Sequence, residues 1–177
     1  MKKIFIPVIV CSTFLLSGYT ALVSTKWDIK ENYNIKFSSA NPSGVFSSLK
    51  GEIMFDETNL QDSKFDIIID AASINTGNGM KNRHAKSAKW FDAERYPSIR
   101  FVSSKVYKKG DGYEVTGVCD MHGVKKEIVI PFTFSNNTFS GSFEVNRLDY
   151  GIGTTEGSSG KAATILKVNI SVPVIRN

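Results

Sequence analysis

Cysteine and histidine are scarce in this chain of 177 residues, which contains only two of each. Cys11 lies in an apolar run near the amino terminus, so Cys119 is alone in the rest of the chain. A lone cysteine cannot form an internal disulfide, and the fold must then depend on its apolar core. The chain also lacks a His-Glu-x-x-His motif, a Gly-x-Ser-x-Gly motif and a cysteine pair beyond that run. These absences argue against a zinc protease, a serine hydrolase and a zinc finger.

An apolar run long enough to span a bilayer is missing as well. Residues 1–3 are Met-Lys-Lys, residues 4–16 are mostly apolar, and small residues follow as far as Ala21. This order is typical of a secretory signal peptide. We therefore expect residues 1–21 to be a signal peptide, cleaved between about Gly18 and Ser24, and residues 25–177 to form one domain. A lipid anchor on Cys11 is disfavoured, because Val10 precedes it and the apolar run surrounds it.

Positive charge is in mild excess, with a formal net charge of +5. This value falls to +3 if cleavage of the signal peptide removes Lys2 and Lys3. Basic residues are dispersed except for one group, which is Lys81, Arg83, Lys86 and Lys89. Such a group is more often a solvated helix face than a nucleic-acid site. We expect no nucleic-acid partner and no stable membrane span after cleavage. A homodimer is compatible with the sequence, and the expected location is the periplasm or the medium.

Alternating apolar and polar residues are plentiful, and they predict a β-rich protein. Residues 164–174 have the cleanest pattern, and further strands are predicted at 27–29, 33–37, 45–55, 65–70, 100–107, 113–121, 126–134 and 138–146. Gly51 predicts a bend inside its strand, and Pro131 predicts a strand at an edge or a bulge. The eight or nine predicted strands follow each other without regular helices between them, which predicts either two packed sheets or a closed barrel.

The stretch from 67 to 101 departs from this pattern. A strand ends in a turn at Asn75, Gly77 and Gly79, and residues 81–95 predict a short helix or helical loop before Pro97. Its apolar stripe is formed by Ala85, Ala88, Trp90, Phe91 and Tyr96. Because β patterning returns at Ile99, the crossing segment is expected to cover the open end of a curved sheet.

Residues 73–101 read SINTGNGMKNRHAKSAKWFDAERYPSIRF and resemble the signature of the YceI family. Further matches are Trp27-Asp28-Ile29, Thr116-Gly117 with His122-Gly123-Val124 and Lys126, and Asn146-Arg147 with Tyr150-Gly151-Ile152-Gly153. The resemblance covers the chain from about Trp27 to Val174. Lys81, Asn82 and Ala85 stand where the family usually has Arg, Asp and Leu, and Cys119, Asp120 and Lys125 replace Leu, Thr and Thr.

The resemblance implies an all-β, lipocalin-like, elongated antiparallel up-and-down β-barrel of about eight strands with a short helix or lid segment. It also implies an apolar tunnel that holds a long-chain lipid, such as a polyisoprenoid, an isoprenoid quinone or a fatty acyl amphiphile. No other cofactor is expected. The expected tunnel lining is Trp27, Phe46, Phe55, Ile67, Ile69, Trp90, Phe91, Phe101, Phe132, Phe134, Phe143, Leu166, Val168 and Ile170. The expected head-group rim is Asn75, Lys81, Asn82, Arg83 and His84.

Two other functions stay open at this point. The first is an enzyme of the cell envelope that acts on such a lipid with His84 or His122 as general base. The second is a surface adhesin or assembly subunit, which would need an exposed apolar patch. A metal site is not expected, because His84, His122 and Cys119 could form one only if the fold brought them together.

Overall fold

The computed structural model describes residues 24–154 and 162–177. The predicted signal peptide lies outside these residues. The described part contains one α-helix, three short 3-10 helices and eleven β-strands. The strands are β1 (Lys26–Ile29), β2 (Asn34–Ser38), β3 (Gly44–Phe46), β4 (Leu49–Met54), β5 (Lys64–Asp70), β6 (Ile74–Asn75), β7 (Ser98–Lys109), β8 (Gly112–Met121), β9 (Val124–Ser135), β10 (Thr138–Asn146) and β11 (Ile165–Arg176).

These strands form one antiparallel sheet that closes into a barrel. Neighbours pair in the order β1, β4, β5, β7, β8, β9, β10, β11, and the pairing of β11 with β1 completes the circle. The predicted eight-stranded barrel is therefore confirmed. β2 pairs with β11 beyond the point where β1 does, so β1 and β2 together form one strand of the barrel. In the same way β3, which pairs with β2, extends β4. β6, which pairs with β3, extends β5. Three of the eight barrel strands are thus each built from two shorter pieces.

One end of the barrel is covered by the crossing segment between β6 and β7. Its helix α1 runs from Gly79 to Lys86, and the Asn78 side chain caps it by accepting a hydrogen bond from the Lys81 N–H at 3.0 Å. The predicted helical stretch 81–95 was too long and began too late. Backbone turns replace the helix after Lys86, because the Phe91 and Ala93 N–H groups bond back to the carbonyls of Ala85 and Lys86. No helix in the described residues is both long enough and apolar enough to cross a membrane.

Gly51 and Pro131 mark two irregular places in the sheet. Gly51 has φ +148°, and a side chain there would collide with the Asp66 carbonyl of β5. The need for glycine at this position is thus steric, whereas the pairing of β4 with β5 passes through Gly51 without a register shift. Pro131 does not put β9 at a sheet edge, since β9 pairs with β8 along most of its length and with β10 at one end. The ladder with β10 ends at Phe132, next to the proline that has no N–H to donate.

Candidate ligand-binding cavity

The inward faces of the strands enclose an apolar cavity of about 610 Å³. This volume is within the usual range for small-molecule sites, roughly 300–1,000 Å³. In an antiparallel barrel successive side chains point alternately inward and outward, so each strand contributes every second residue to the lining. Along β11 these are Leu166, Val168, Ile170 and Val172, the residues of the cleanest alternating pattern in the sequence.

The end of the barrel opposite α1 is closed by aromatic rings. Phe55, only 1% exposed, lies at their centre, and its ring centroid is 5.2 Å from Tyr113 and 5.3 Å from Phe139. The cluster also contains Trp27, Phe65, Phe132 and Phe134. Edge-to-face contacts of this kind favour tight packing. We call these seven residues the aromatic plug.

The aromatic plug separates the predicted lining residues into those that line the cavity and those that do not. Eleven of the fourteen line the cavity, namely Phe46, Ile67, Ile69, Trp90, Phe91, Phe101, Phe132, Phe143, Leu166, Val168 and Ile170. Trp27, Phe55 and Phe134 do not line it. Phe55 follows the end of β4, and its carbonyl accepts a hydrogen bond from Trp27 Nε1 at 2.9 Å. Both residues belong to the aromatic plug and do not contact the cavity.

Two glycines allow close packing between neighbouring strands of the wall. A Cβ on the buried Gly117 of β8 would collide with the Val102 carbonyl oxygen and would lie 2.7 Å from Cζ of the Phe101 ring. A Cβ on Gly141 of β10 would lie 2.6 Å from the Pro131 carbonyl oxygen and 3.2 Å from Cγ1 of Ile170. Neither position can therefore carry a side chain unless the neighbouring strand moves. Gly117 belongs to the Thr116-Gly117 motif match, whereas no part of the sequence pattern indicates Gly141.

The mouth of the cavity is formed by the crossing segment and the loops around it. Ala85 of α1 and the rings of Trp90 and Phe91 line it, and the Phe91 ring packs edge-to-face against Phe46 with centroids 5.8 Å apart. Asn41 and Pro42, between β2 and β3, contribute to the same opening. The predicted role of this segment as a cover for one end of the barrel is confirmed.

The five predicted rim residues separate into two groups. Lys81 and His84 line the cavity mouth. Asn82 instead holds the turn before the helix, because its Oδ1 accepts from the Thr76 N–H at 2.8 Å and from the Thr76 hydroxyl at 2.7 Å. Its Nδ2 donates to Oδ1 of Asn75 at 3.3 Å. Arg83 is exposed and is not among the lining residues.

A buried arginine that the sequence reasoning treated only as part of a motif also lines the cavity. Arg147 begins the 3-10 helix Arg147–Tyr150 and is 7% exposed. Its guanidinium donates to the carbonyls of Ala163 (2.9 Å), Ile152 (2.6 Å), Gly153 (3.0 Å) and Ala162 (3.3 Å). The Trp90 ring lies 5.2 Å from the guanidinium carbon, which adds a cation–π contact. Burial lowers the pKa of Arg147, although an arginine keeps its charge at neutral pH.

Cys119 lies on the cavity wall, and the buried Tyr150 lies behind it. Burial raises the pKa of the Cys119 thiol, and burial likewise raises the pKa of the Tyr150 hydroxyl. Both groups therefore stay protonated at neutral pH. A thiol in this state is a poor nucleophile, so the geometry gives Cys119 a packing role.

The two histidines are in different settings. His84 is exposed at the mouth. His122 is in the β8–β9 turn with φ +55°, its Nδ1 is 2.9 Å from the Tyr150 carbonyl oxygen, and its ring packs against Tyr96 with centroids 4.7 Å apart. His122 thus ties two loops together and is not among the lining residues. Within residues 24–154 and 162–177, no three His, Cys, Asp or Glu side chains are grouped as metal ligands.

The two aspartates of β5 lie outside the cavity. Asp66 accepts two hydrogen bonds from Arg100, from Nε at 2.8 Å and from Nη2 at 2.6 Å, and these bonds lower the pKa of Asp66. Asp70 accepts from the Ala72 N–H at 2.8 Å and caps a short helical turn. Neither carboxylate lines the cavity.

A family model described as the YceI-like domain matches residues 23–174. The UPF0312 protein of Vibrio parahaemolyticus is 37% identical over 92 residues, which covers 51% of this chain and 49% of that protein. The UPF0312 protein of Serratia proteamaculans is 27% identical over 143 residues, which covers 75% and 73%. The match spans about half the length of the first of these curated relatives.

Solved structures share the fold. BcnA of Burkholderia cenocepacia is similar with a TM-score of 0.77 and 26% identity, covering 84% of this chain and 99% of that one. A polyisoprenoid-binding domain from Saccharophagus degradans, implicated in plant cell wall breakdown, has a TM-score of 0.61 and 16% identity and covers 88% and 99%. The second likeness shows the fold alone.

Proposed function

This chain belongs to the family of YceI-like domains, and from that premise we propose that it binds one long-chain lipid in its barrel and serves as a carrier, store or scavenger. The candidate ligands are a polyisoprenoid, an isoprenoid quinone or a fatty acyl amphiphile. The polyisoprenoid-binding domain of similar fold supports this class. The proposal extends to the whole protein, including its export to the cell envelope.

The observation that carries the proposal is an apolar cavity with one closed and one open end. Its floor is the aromatic plug, its walls are aliphatic and aromatic, and its polar groups are concentrated at the mouth. Burial of apolar surface stabilises a complex by roughly 25 cal/mol per Å² before the costs of association. A flexible hydrocarbon chain could thus be held firmly without any catalytic group.

We favour binding over catalysis because of where the histidines lie. The His122 ring is engaged by Tyr96 and the Tyr150 carbonyl, away from the lining residues. His84 lies at the mouth, with no carboxylate among the described lining residues to orient it. Replacing both with alanine should leave lipid affinity within a few-fold. A loss of turnover of an added lipid in that variant would favour the enzyme instead.

Native mass spectrometry of the purified protein, followed by organic extraction, tests the binding proposal. We expect a mass increment that disappears on extraction and a lipid with a long hydrocarbon chain in the organic phase. A protein that carries no lipid after purification and takes up none of the three candidate classes would contradict the proposal.

Export has a separate test. Amino-terminal sequencing of protein recovered from the cell envelope or the medium should give a sequence that begins near Leu22 to Thr25. Intact Met1 in protein from the cytoplasmic fraction would contradict export and leave the binding proposal in place.

A further inference from the structure

We propose that the ligand carries an anionic head group, a carboxylate or a phosphate, which is held at the cavity mouth by Lys81, Lys89 and Arg147. This inference rests on the proposed lipid-binding function and specifies the ligand. We call the three side chains the mouth cations.

The first observation is the one-sided charge of the lining. Lys81, Lys89 and Arg147 are its charged side chains, and the described lining contains neither an aspartate nor a glutamate. They come from three separate elements, which are α1, the turns after it and the 3-10 helix after β10. A cavity mouth that carries charge of one sign concentrates ligands of the other sign.

The second observation is the pairing of charges elsewhere. Five ion pairs join a lysine or arginine to a carboxylate within 4 Å among the described residues, and none of them includes a mouth cation. The outer surface of the barrel therefore has partly balanced charges. The described residues of the mouth have a surplus of positive charge that a ligand could neutralise.

The third observation is the burial of Arg147. Its four hydrogen bonds go to carbonyl oxygens, which fix the guanidinium plane but carry no net negative charge. A buried charge that has no ion-pair partner among the described residues is unfavourable relative to the same charge in water. An anion at the mouth would offset part of this cost, so binding of a charged head group gains more here than at an exposed lysine.

The direction of insertion follows from the two ends of the cavity. The floor is the aromatic plug, which offers no cation, so an anionic head group cannot be accommodated there without a large desolvation cost. The hydrocarbon chain must then point to the plug. The head group remains beside Lys81, Lys89 and Arg147, where water can hydrate it and the three cations can pair with it.

Displacement of the neutral fluorescent probe N-phenyl-1-naphthylamine from lipid-stripped protein tests this inference. Oleate is compared with oleamide, and hexadecyl phosphate with hexadecanol, each below its micelle concentration. We expect each anion to displace the probe at a concentration about tenfold lower than its neutral partner, since each exposed charge pair contributes up to about fivefold and the buried arginine more. The preference for oleate over oleamide, compared with the preference for hexadecyl phosphate over hexadecanol, separates a carboxylate ligand from a phosphate ligand.

The paired variant Lys81→Gln/Lys89→Gln should lose several-fold of the preference for the anion and keep its affinity for the probe. Lys36→Gln/Lys64→Gln is the matched control, since both lysines are exposed on strands outside the cavity and the net charge changes equally. Equal displacement by oleate and oleamide, or an equal loss in the control, would overturn the anionic head group and leave lipid binding intact. Failure of the probe and all four lipids to bind would instead overturn the lipid-binding function.

Discussion

Cys119 offers a direct report on the cavity at the scale of one residue. It is the only cysteine outside the predicted signal peptide, it is 6% exposed, and it lies on the cavity wall. Because burial raises its pKa, the thiolate fraction at pH 8 is smaller than for a free cysteine. We predict that a chromogenic disulfide reagent reacts with the folded protein at least about tenfold more slowly than with the protein unfolded in urea.

The same reaction reports on ligand occupancy. A lipid in the cavity would cover the thiol, so loading the protein with the extracted lipid should slow the reaction further. The unfolded protein, with or without added lipid, is the control. A fast reaction in the folded protein would show that Cys119 is open to solvent, and an unchanged rate on loading would place the ligand elsewhere.

Which face of a strand a residue occupies could be predicted, but not how far along the barrel it lies. Alternation groups Ile67 with Ile69 on one face and Val168 with the apolar residues of its strand, the resemblance turns these faces to the inside of a barrel, and the structure has all three residues there. Trp27 and Phe134 also belong to inward-facing sets, yet they lie at the closed end and fill the aromatic plug. Alternation predicts only whether a side chain points inward or outward. Its position along the barrel axis depends on the register between strands, which the turns and bulges set.

At the scale of elements, three of the barrel strands are interrupted, and this explains a count of eleven strands in an eight-stranded barrel. The break between β1 and β2 falls at the polar residues Lys30, Glu31 and Asn32, where the sequence predicted separate strands. Their continuation of one another along β11 could not be predicted, since it depends on pairing with residues at least 129 positions away.

The helix boundaries were missed for a local reason. Asn78 is a good amino-terminal cap, and its position before Gly79 could have indicated the start of α1. The end is set by tertiary contacts, because Trp90 and Phe91 turn into the cavity mouth instead of continuing a helical stripe. A stripe of aromatics near a barrel opening is therefore compatible with a lid made of turns.

The ladder between β9 and β10 is short for the length of the two strands. Their pairing covers residues 132–135 and 138–141, whereas residues 124–131 and 142–146 have no described partners across this seam. In an antiparallel sheet, N–H groups point alternately to the two neighbouring strands. We predict that the amides of residues 125–130 that point away from β8 exchange their hydrogens at least about a hundredfold faster than those that point to it.

Hydrogen exchange followed by nuclear magnetic resonance measures this residue by residue. Residues 117–120 of β8 are the control, because they pair with β7 on one side and β9 on the other. Slow exchange along the whole of β9 would show that β9 and β10 are joined in solution, and the seam would then be closed.

At the scale of the molecule, the choice between a barrel and two packed sheets came from the family resemblance. The cavity could not be predicted from composition, because each phenylalanine is equally suited to a filled core. Gly117 and Gly141 lie beside the large side chains of Phe101 and Ile170, which line the cavity. That arrangement is visible only once the strands have been placed in register.

A tryptophan scan along β11 separates an open cavity from a filled core. Val168 and Val174 are on the same face of the same strand, but Val168 lines the cavity whereas Val174 is 2% exposed in the packed core. Val168→Trp should place its added volume in empty space, so the free energy of unfolding of the lipid-free protein should fall by less than about 1 kcal/mol. Lipid uptake should fall several-fold, because the indole narrows the path of the chain.

Val174→Trp is the matched control, with the same substitution six residues further along. Overpacking a filled core typically costs about 1–3 kcal/mol or more, so this variant should unfold at a clearly lower urea concentration. Its folded fraction should retain lipid, because Val174 is not among the lining residues. If Val168→Trp instead loses as much stability as Val174→Trp and keeps its lipid uptake, the space beside Val168 is filled by protein in solution and the ligand must bind elsewhere.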